Sequence, residues 1–291
     1  MIYHYTSTEV LCKLLEHCHQ QGDKKSMKFW ASSVYAMNDI MEMQNGYDFL
    51  RSFLNNYEVS IPEEERLYSF MVNSGDVVFN GNEKDFFLLK EKTPFVVSFS
   101  MDEDSYPMWE LYGDKGKGVC LVFDENIIKE DQDLKKLKIN YHAVAYMKDN
   151  PIENDIWISL GRMLRNEVRR NHFINDLLPN EKTKETFKKL FLSEICPIVS
   201  AFIKIGQYSF ENEFRLLSID DSEGSNVHFR VSSHGNVIPY IDLPIPLSSL
   251  HKVIVGPNLA SQLSVSNLEH MLRANGSKAE IDRSDFVYHN L

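Results

Sequence analysis

The run Glu211-Asn212-Glu213-Phe214-Arg215 concentrates acidic and basic side chains between apolar neighbours. Read as a strand over 210–218, its side chains alternate between faces. Phe210, Asn212, Phe214 and Leu216 then lie on one side, with Glu211, Glu213 and Arg215 on the other. Two carboxylates so placed sit roughly 7 Å apart by strand rise. A second carboxylate raises the pKa of the first, and a neighbouring arginine lowers it. Such a trio suits holding a sugar hydroxyl or stabilising a cationic transition state. The plainer alternative is a solvated face carrying a Glu–Arg ion pair.

Other groups could do chemistry. His4 lies between Tyr3 and Tyr5 on an expected first strand, where an imidazole can act as an acid, a base or a hydrogen-bond partner. Asn38, Asp39 and Glu42 follow an expected second strand; they either face a substrate at the mouth of the sheet, or Asp39 and Glu42 cap a helix. Trp109 and Tyr112 offer rings for stacking, and the turn Gly116-Lys117-Gly118 offers N–H groups that could meet phosphate. Arg162, Arg165 and Arg169 recur at helical spacing as a basic stripe that could contact phosphate or RNA. Cys12, His17, Cys18 and His19 do not converge as four ligands from one helix, so no metal site is expected.

These residues need a framework. The chain has 291 residues, 43% hydrophobic and 25% charged, enough for a sizeable core. Its formal net charge of -11 argues against a general electrostatic grip on nucleic acid. Four scattered cysteines (Cys12, Cys18, Cys120, Cys196) do not form the dense framework of a small secreted domain. No signal peptide is expected, and no apolar run approaches the roughly 20 residues of a membrane span. A cytoplasmic setting with reduced thiols follows as the simplest expectation.

Strands are expected at 3–6, 29–32, 95–100, 119–123, 141–147, 210–218, 227–231, 253–255 and 279–281, from β-branched and aromatic runs between turn residues. Helical periodicity marks a segment after the capping pattern Thr6…Glu9, segments over about 42–92 and 155–203, and 266–274. Strands at both ends of the chain imply one shared sheet. A single α+β domain over 1–291, decorated by the two long helical segments, is therefore expected, without regular βαβ alternation.

Several of these segments, taken in order, resemble the domain-of-unknown-function family 2971. They are Tyr3-His4-Tyr5-Thr6-Ser7, Phe29-Trp30-Ala31-Ser32 with Asn38-Asp39 and Glu42, and Ser98-Phe99-Ser100. Met108-Trp109 with Tyr112, the run from Lys117 to Asp124, Glu211 to Arg215, and Val253-Ile254-Val255-Gly256-Pro257 complete the pattern. That family is in turn similar, more remotely, to the ADP-ribosyltransferase superfamily. The resemblance implies a mixed or antiparallel split sheet forming a cleft around NAD. It implies catalytic roles for Glu213 and His4, with Glu211 as the alternative acid. His4, at a ribose hydroxyl, with Tyr5, Tyr35, Trp109, Tyr112 and Arg215 would contact the dinucleotide. The alternative for Arg215 is to hold the acidic pair in place. Asn38, Asp39 and the arginine stripe would contact the acceptor.

The expected activity is consumption of NAD, as substrate, by an ADP-ribosyltransferase-like enzyme, a toxin or phage-defence effector acting on RNA, DNA or protein. Two alternatives stand beside it. One is a non-catalytic nucleotide- or RNA-sensing module; the other is a nuclease or glycohydrolase using the paired carboxylates. No membrane partner is expected.

Overall fold

The computed structural model describes residues 1–16, 18, 25–37, 42–48, 93–147, 196–219, 226–232, 235–258 and 262–286. Most of the two long helical segments, Asn38, Asp39 and the stripe of Arg162, Arg165 and Arg169 lie outside the described residues. What is described is a mixed α/β arrangement built on an open, mostly antiparallel sheet.

In chain order the strands are β1 (Ile2–Thr6), β2 (Ser26–Ser33), β3 (Pro94–Ser100), β4 (Val119–Phe123), β5 (Asn140–Ala143) and β6 (Ala145–Met147). β7 (Ile203–Ile205), β8 (Glu213–Ile219), β9 (His228–Val231), β10 (Val237–Pro246), β11 (Leu250–Val255) and β12 (Glu280–Arg283) follow. Ten of them form one sheet in the order β12-β11-β4-β1-β3-β2-β10-β9, with β8 on β3 and β5 on β8. Within it β11 and β12 run parallel. β6 and β7 form a separate parallel pair.

The sheet forks at β3. β8 pairs with β3 over its whole length, from Pro94↔Ile219 to Ser100↔Glu213, and so occupies one edge. The other edge is shared: β1 meets it at Ser100 and β2 at Phe95 and Val96. Between those points β1 and β2 diverge, and the β3 backbone around Ser98 faces the gap.

Register assigns the faces. Residues paired across antiparallel strands share a face. Tyr3, Ser98, Ser100, Glu213 and Arg215 therefore point one way, together with Trp30 and Ser32 of β2, Tyr240 of β10 and Arg230 of β9. His4, Phe29, Phe99, Phe214 and Leu216 point the other way, into the main core. There the helices Thr8–Glu16 and Gln262–Ala274 bury Leu11, Leu14, Leu15, Leu268 and Leu272 against the sheet. Each such side chain contributes about 1.5–3 kcal/mol.

β10 has no counterpart among the expected strands, because Pro239, Pro244 and Pro246 argue against a sheet interior. Each proline falls where β10 has a partner on one edge only. Among the described residues β9 pairs over 237–240 and β2 over 240–246, so each proline has an open edge toward which its missing N–H can point.

Candidate functional site

A cavity of about 370 Å³ lies at the fork and is lined from both arms of the sheet. Its floor is a buried charge cluster. Arg215, 0% exposed, donates from Nε to Glu213 Oε1 at 2.7 Å and from Nη2 to Glu213 Oε2 at 2.8 Å. Its remaining nitrogen bonds the Ala201 carbonyl and pairs with Glu42. Lys204 donates to Glu211 and lies 3.4 Å from Glu213 and 3.7 Å from Glu42. All five groups are at most 5% exposed. Three carboxylates thus surround two cations.

The cations decide the protonation of the cluster. Burial alone would raise the Glu213 pKa. The Arg215 charge and its hydrogen bonds, with smaller help from Lys204 and the Ser98 hydroxyl, overcome that and hold the carboxyl below the usual carboxylate range. Burial lowers the Lys204 pKa, but the three carboxylates outweigh it and keep the ammonium charged.

Local backbone sets this geometry, and it differs from the expected continuous strand. Residues Gly206–Glu211 form a 3-10 helix, and Asn212 turns the chain through a left-handed conformation at φ 39°. Asparagine tolerates that region, and its side chain is tied to Asp102 at 2.7 Å. Only at Glu213 does the strand begin. Glu211 therefore reaches the cluster from a turn, not by alternation, and shares Lys204 with Glu213. The Tyr112 hydroxyl donates to Glu211 Oε1 at 2.7 Å, and Tyr146 Oη accepts from the Glu213 N–H at 2.8 Å.

His4 enters the same cavity from the other face. Its Nδ1 donates to the Ser98 carbonyl at 3.0 Å, filling the hydrogen bond that the fork leaves open. Its ring packs edge-on to Phe29 at 5.1 Å and lies 5.6 Å from Phe99. Strand alternation thus separates His4 from Glu213, and Ser98 stands between them; the two do not face a ligand from one side. Burial lowers the His4 pKa, offset in part by the Ser98 bond, so the imidazole is neutral at pH 7.

A stability prediction follows. The unfolded imidazole titrates near 6.5, and the folded one resists protonation. The His4 contribution is complete above about pH 6.5 and is lost as pH falls toward its lowered folded value. His4→Phe orphans the Ser98 carbonyl and should cost about 1–3 kcal/mol in urea unfolding at pH 7. The variant should also lack that share of the acid sensitivity; an unchanged pH profile would contradict the assignment.

Other expected contacts are corrected by burial. Trp109 is 0% exposed, donates from Nε1 to Asp104 at 2.7 Å and packs against Tyr5, so it is a core residue and no stacking platform. The Tyr5 hydroxyl is engaged by the backbone of Asp102 and Ser105, although its ring reaches the cavity wall. Tyr35 bonds Tyr47 and is absent from the lining. Arg215 does not reach the cavity and acts on Glu213 and Glu42. The glycine turn is no phosphate cradle: its N–H groups are taken by Trp109, Asp114 and Gly113 carbonyls. A Cβ on Gly118 would lie 2.1 Å from the Thr6 carbonyl oxygen, which explains the glycine.

The structure places Glu42 in the site, as one of the two sequence alternatives had it, and adds Lys204, Tyr146 and Arg230. Among the described residues no group of three His, Cys, Asp or Glu side chains is arranged to hold a metal ion. Cys12, Cys18 and Cys120 are free thiols. No described helix is long and apolar enough to cross a membrane.

Much of the charge cluster falls within one matched segment. Residues 108–216 match the family model DUF2971, a protein of unknown function. The DUF2971 match spans about a third of the chain and contains Tyr112, Tyr146, Lys204, Glu211, Glu213 and Arg215. His4, Glu42 and Arg230 lie outside it. The match is narrower than the resemblance traced above from Tyr3 to Pro257. No curated protein and no solved structure matches the chain.

Proposed function

We propose that the cleft binds a nucleotide and that the protein is an NAD-consuming enzyme of the ADP-ribosyltransferase type. The observation that carries this reading is the anionic floor: Glu42, Glu211 and Glu213 outnumber Lys204 and Arg215 at the base of a cavity with aromatic walls. Cleavage of the bond between nicotinamide and ribose creates an oxocarbenium-like cation. A fixed carboxylate stabilises that charge more in the transition state than in the ground state. The parting of β1 and β2 along one edge of β3 supports the finer reading of a split-sheet cleft.

Geometry shifts the weight within the acidic pair. Both Glu213 oxygens accept from Arg215, which neutralises much of its field. Glu211 is held by a neutral tyrosine and by one lysine shared among three carboxylates. Glu211 is therefore the stronger stabiliser of a developing cation, with Glu213 positioning Lys204. Purified protein incubated with NAD should release nicotinamide, with or without transfer of label to macromolecules. Absence of both binding and release would refute the reading.

The clamped state of Glu213 favours one rival, a nucleotide-sensing module without turnover. A ligand-dependent rise in melting temperature with no nicotinamide released would select it.

A further inference from the structure

The geometry points to Arg230 as the anchor of an anion subsite at the end of the cleft opposite the carboxylates, built to take a phosphate or diphosphate of the bound nucleotide. Arg230 stands on β9, on the same face of the sheet as Glu213, and lines the same cavity. Half-buried, it differs in its setting from the buried cations of the cluster. Lys204 and Arg215 are each paired with carboxylates, whereas no carboxylate lies within ion-pair distance of Arg230 among the described residues.

What holds Arg230 is neutral. Nη2 donates to the Ser32 hydroxyl at 3.0 Å, and the guanidinium lies over the Trp30 ring at 6.0 Å. Nε is buried and has no hydrogen-bond partner among the described residues. A ring at that distance attracts the cation without supplying a hydrogen-bond acceptor, so the buried Nε remains open to a ligand. Burial lowers the Arg230 pKa, and the nearby Tyr240 only partly offsets it, as expected for a cation awaiting its counter-charge. A planar fork of donors matches the oxygens of a phosphate group.

The cleft is thus polarised, cationic at Trp30 and Arg230 and anionic at Glu42, Glu211 and Glu213. A nucleotide satisfies both ends at once, with phosphate on the fork and ribose hydroxyls on the carboxylates. This orientation rests on the nucleotide reading above, but the anion subsite itself does not require catalysis.

Calorimetric titration with ADP, adenosine and inorganic pyrophosphate tests it on the whole chain. Wild type should bind ADP about 10- to 100-fold more tightly than adenosine, the worth of a charge-assisted hydrogen-bonded contact. Arg230→Gln should erase that preference and leave adenosine affinity unchanged. Arg230→Lys, which keeps the charge and loses the fork, should fall between and guards against a folding defect. Pyrophosphate binding as tightly as ADP would assign the subsite to free anions. Equal binding of ADP and adenosine by wild type, or an undiminished preference in Arg230→Gln, would overturn the proposal. Arg230-dependent ADP binding without nicotinamide release would leave the subsite standing and remove the catalytic reading. Nicotinamide release with a KM for NAD that Arg230→Gln does not change would do the reverse.

Discussion

Arg215→Met should destabilise the protein by about 3–5 kcal/mol, the cost of leaving buried carboxylates without their partner. Against a typical total of about 5–15 kcal/mol, that is a large share of what holds the domain folded. The cause is specific. The guanidinium is 0% exposed, satisfies both oxygens of Glu213, pairs with Glu42 and bonds the Ala201 carbonyl. Methionine fills part of the volume but supplies no donor, so Glu213 and Glu42 are left to Lys204 alone.

Arg215→Lys should rescue little, because a single ammonium cannot reproduce the two parallel bonds to Glu213. Replacing the unit as a whole, Arg215→Met with Glu213→Leu and Glu42→Leu, should recover much of the loss. The pH dependence follows with its sign. Glu213 has its pKa lowered in the folded protein, so its contribution is present above the unfolded value near 4.3 and is lost as pH falls through the folded one. Without Arg215 that depression largely goes, and acid unfolding should begin at higher pH. Urea titrations from pH 7 to pH 3 would check both; a cost below about 1 kcal/mol would mean the pair is worth no more than a surface bridge.

The second large effect is on activity. Glu211→Gln should lower the rate of nicotinamide release on the order of 10²–10³-fold, as removal of one preorganised electrostatic partner does elsewhere. Glutamine keeps the shape and can still accept from Tyr112 or Lys204, so melting should change far less than in Arg215→Met. A drop in kcat with a nearly unchanged KM is the expected split, because the charge matters most when the ribose is cationic. Glu213→Gln should lose activity and stability together, since it also breaks the Arg215 clamp. An active Glu211→Gln would move the role elsewhere in the cluster.

The framework was largely legible in the sequence, and the site only in part. β3 and β4 announce themselves as apolar runs because both faces of the central sheet are covered, and β8 by its β-forming residues around Glu213 and Arg215. β10 is hidden by its prolines, which are harmless only because each has a single paired edge, a fact of register. The carboxylates were visible as residues, but not their arrangement. A left-handed Asn212 between them ends the alternation that spacing implied.

Lys204 gave no local signal: its three carboxylates come from Glu42 and from Glu211 and Glu213 beyond a turn, and only folding brings them together. Arg230 was silent for the same reason, since its hydroxyl partner Ser32 is 198 residues away. His4 shows the converse. Its residue type and strand were legible, but the fork that turns it toward Ser98, away from Glu213, is a property of three strands at once.

A crystal structure of the protein with an unreactive NAD analogue, one whose bond between nicotinamide and ribose cannot be cleaved, tests the central claim most directly. The predicted result is an analogue lying across the fork, with its diphosphate on Arg230. Its nicotinamide ribose should hydrogen-bond Glu211 at about 2.6–3.2 Å. An analogue bound elsewhere on the chain, or none bound at saturating concentration, would contradict it.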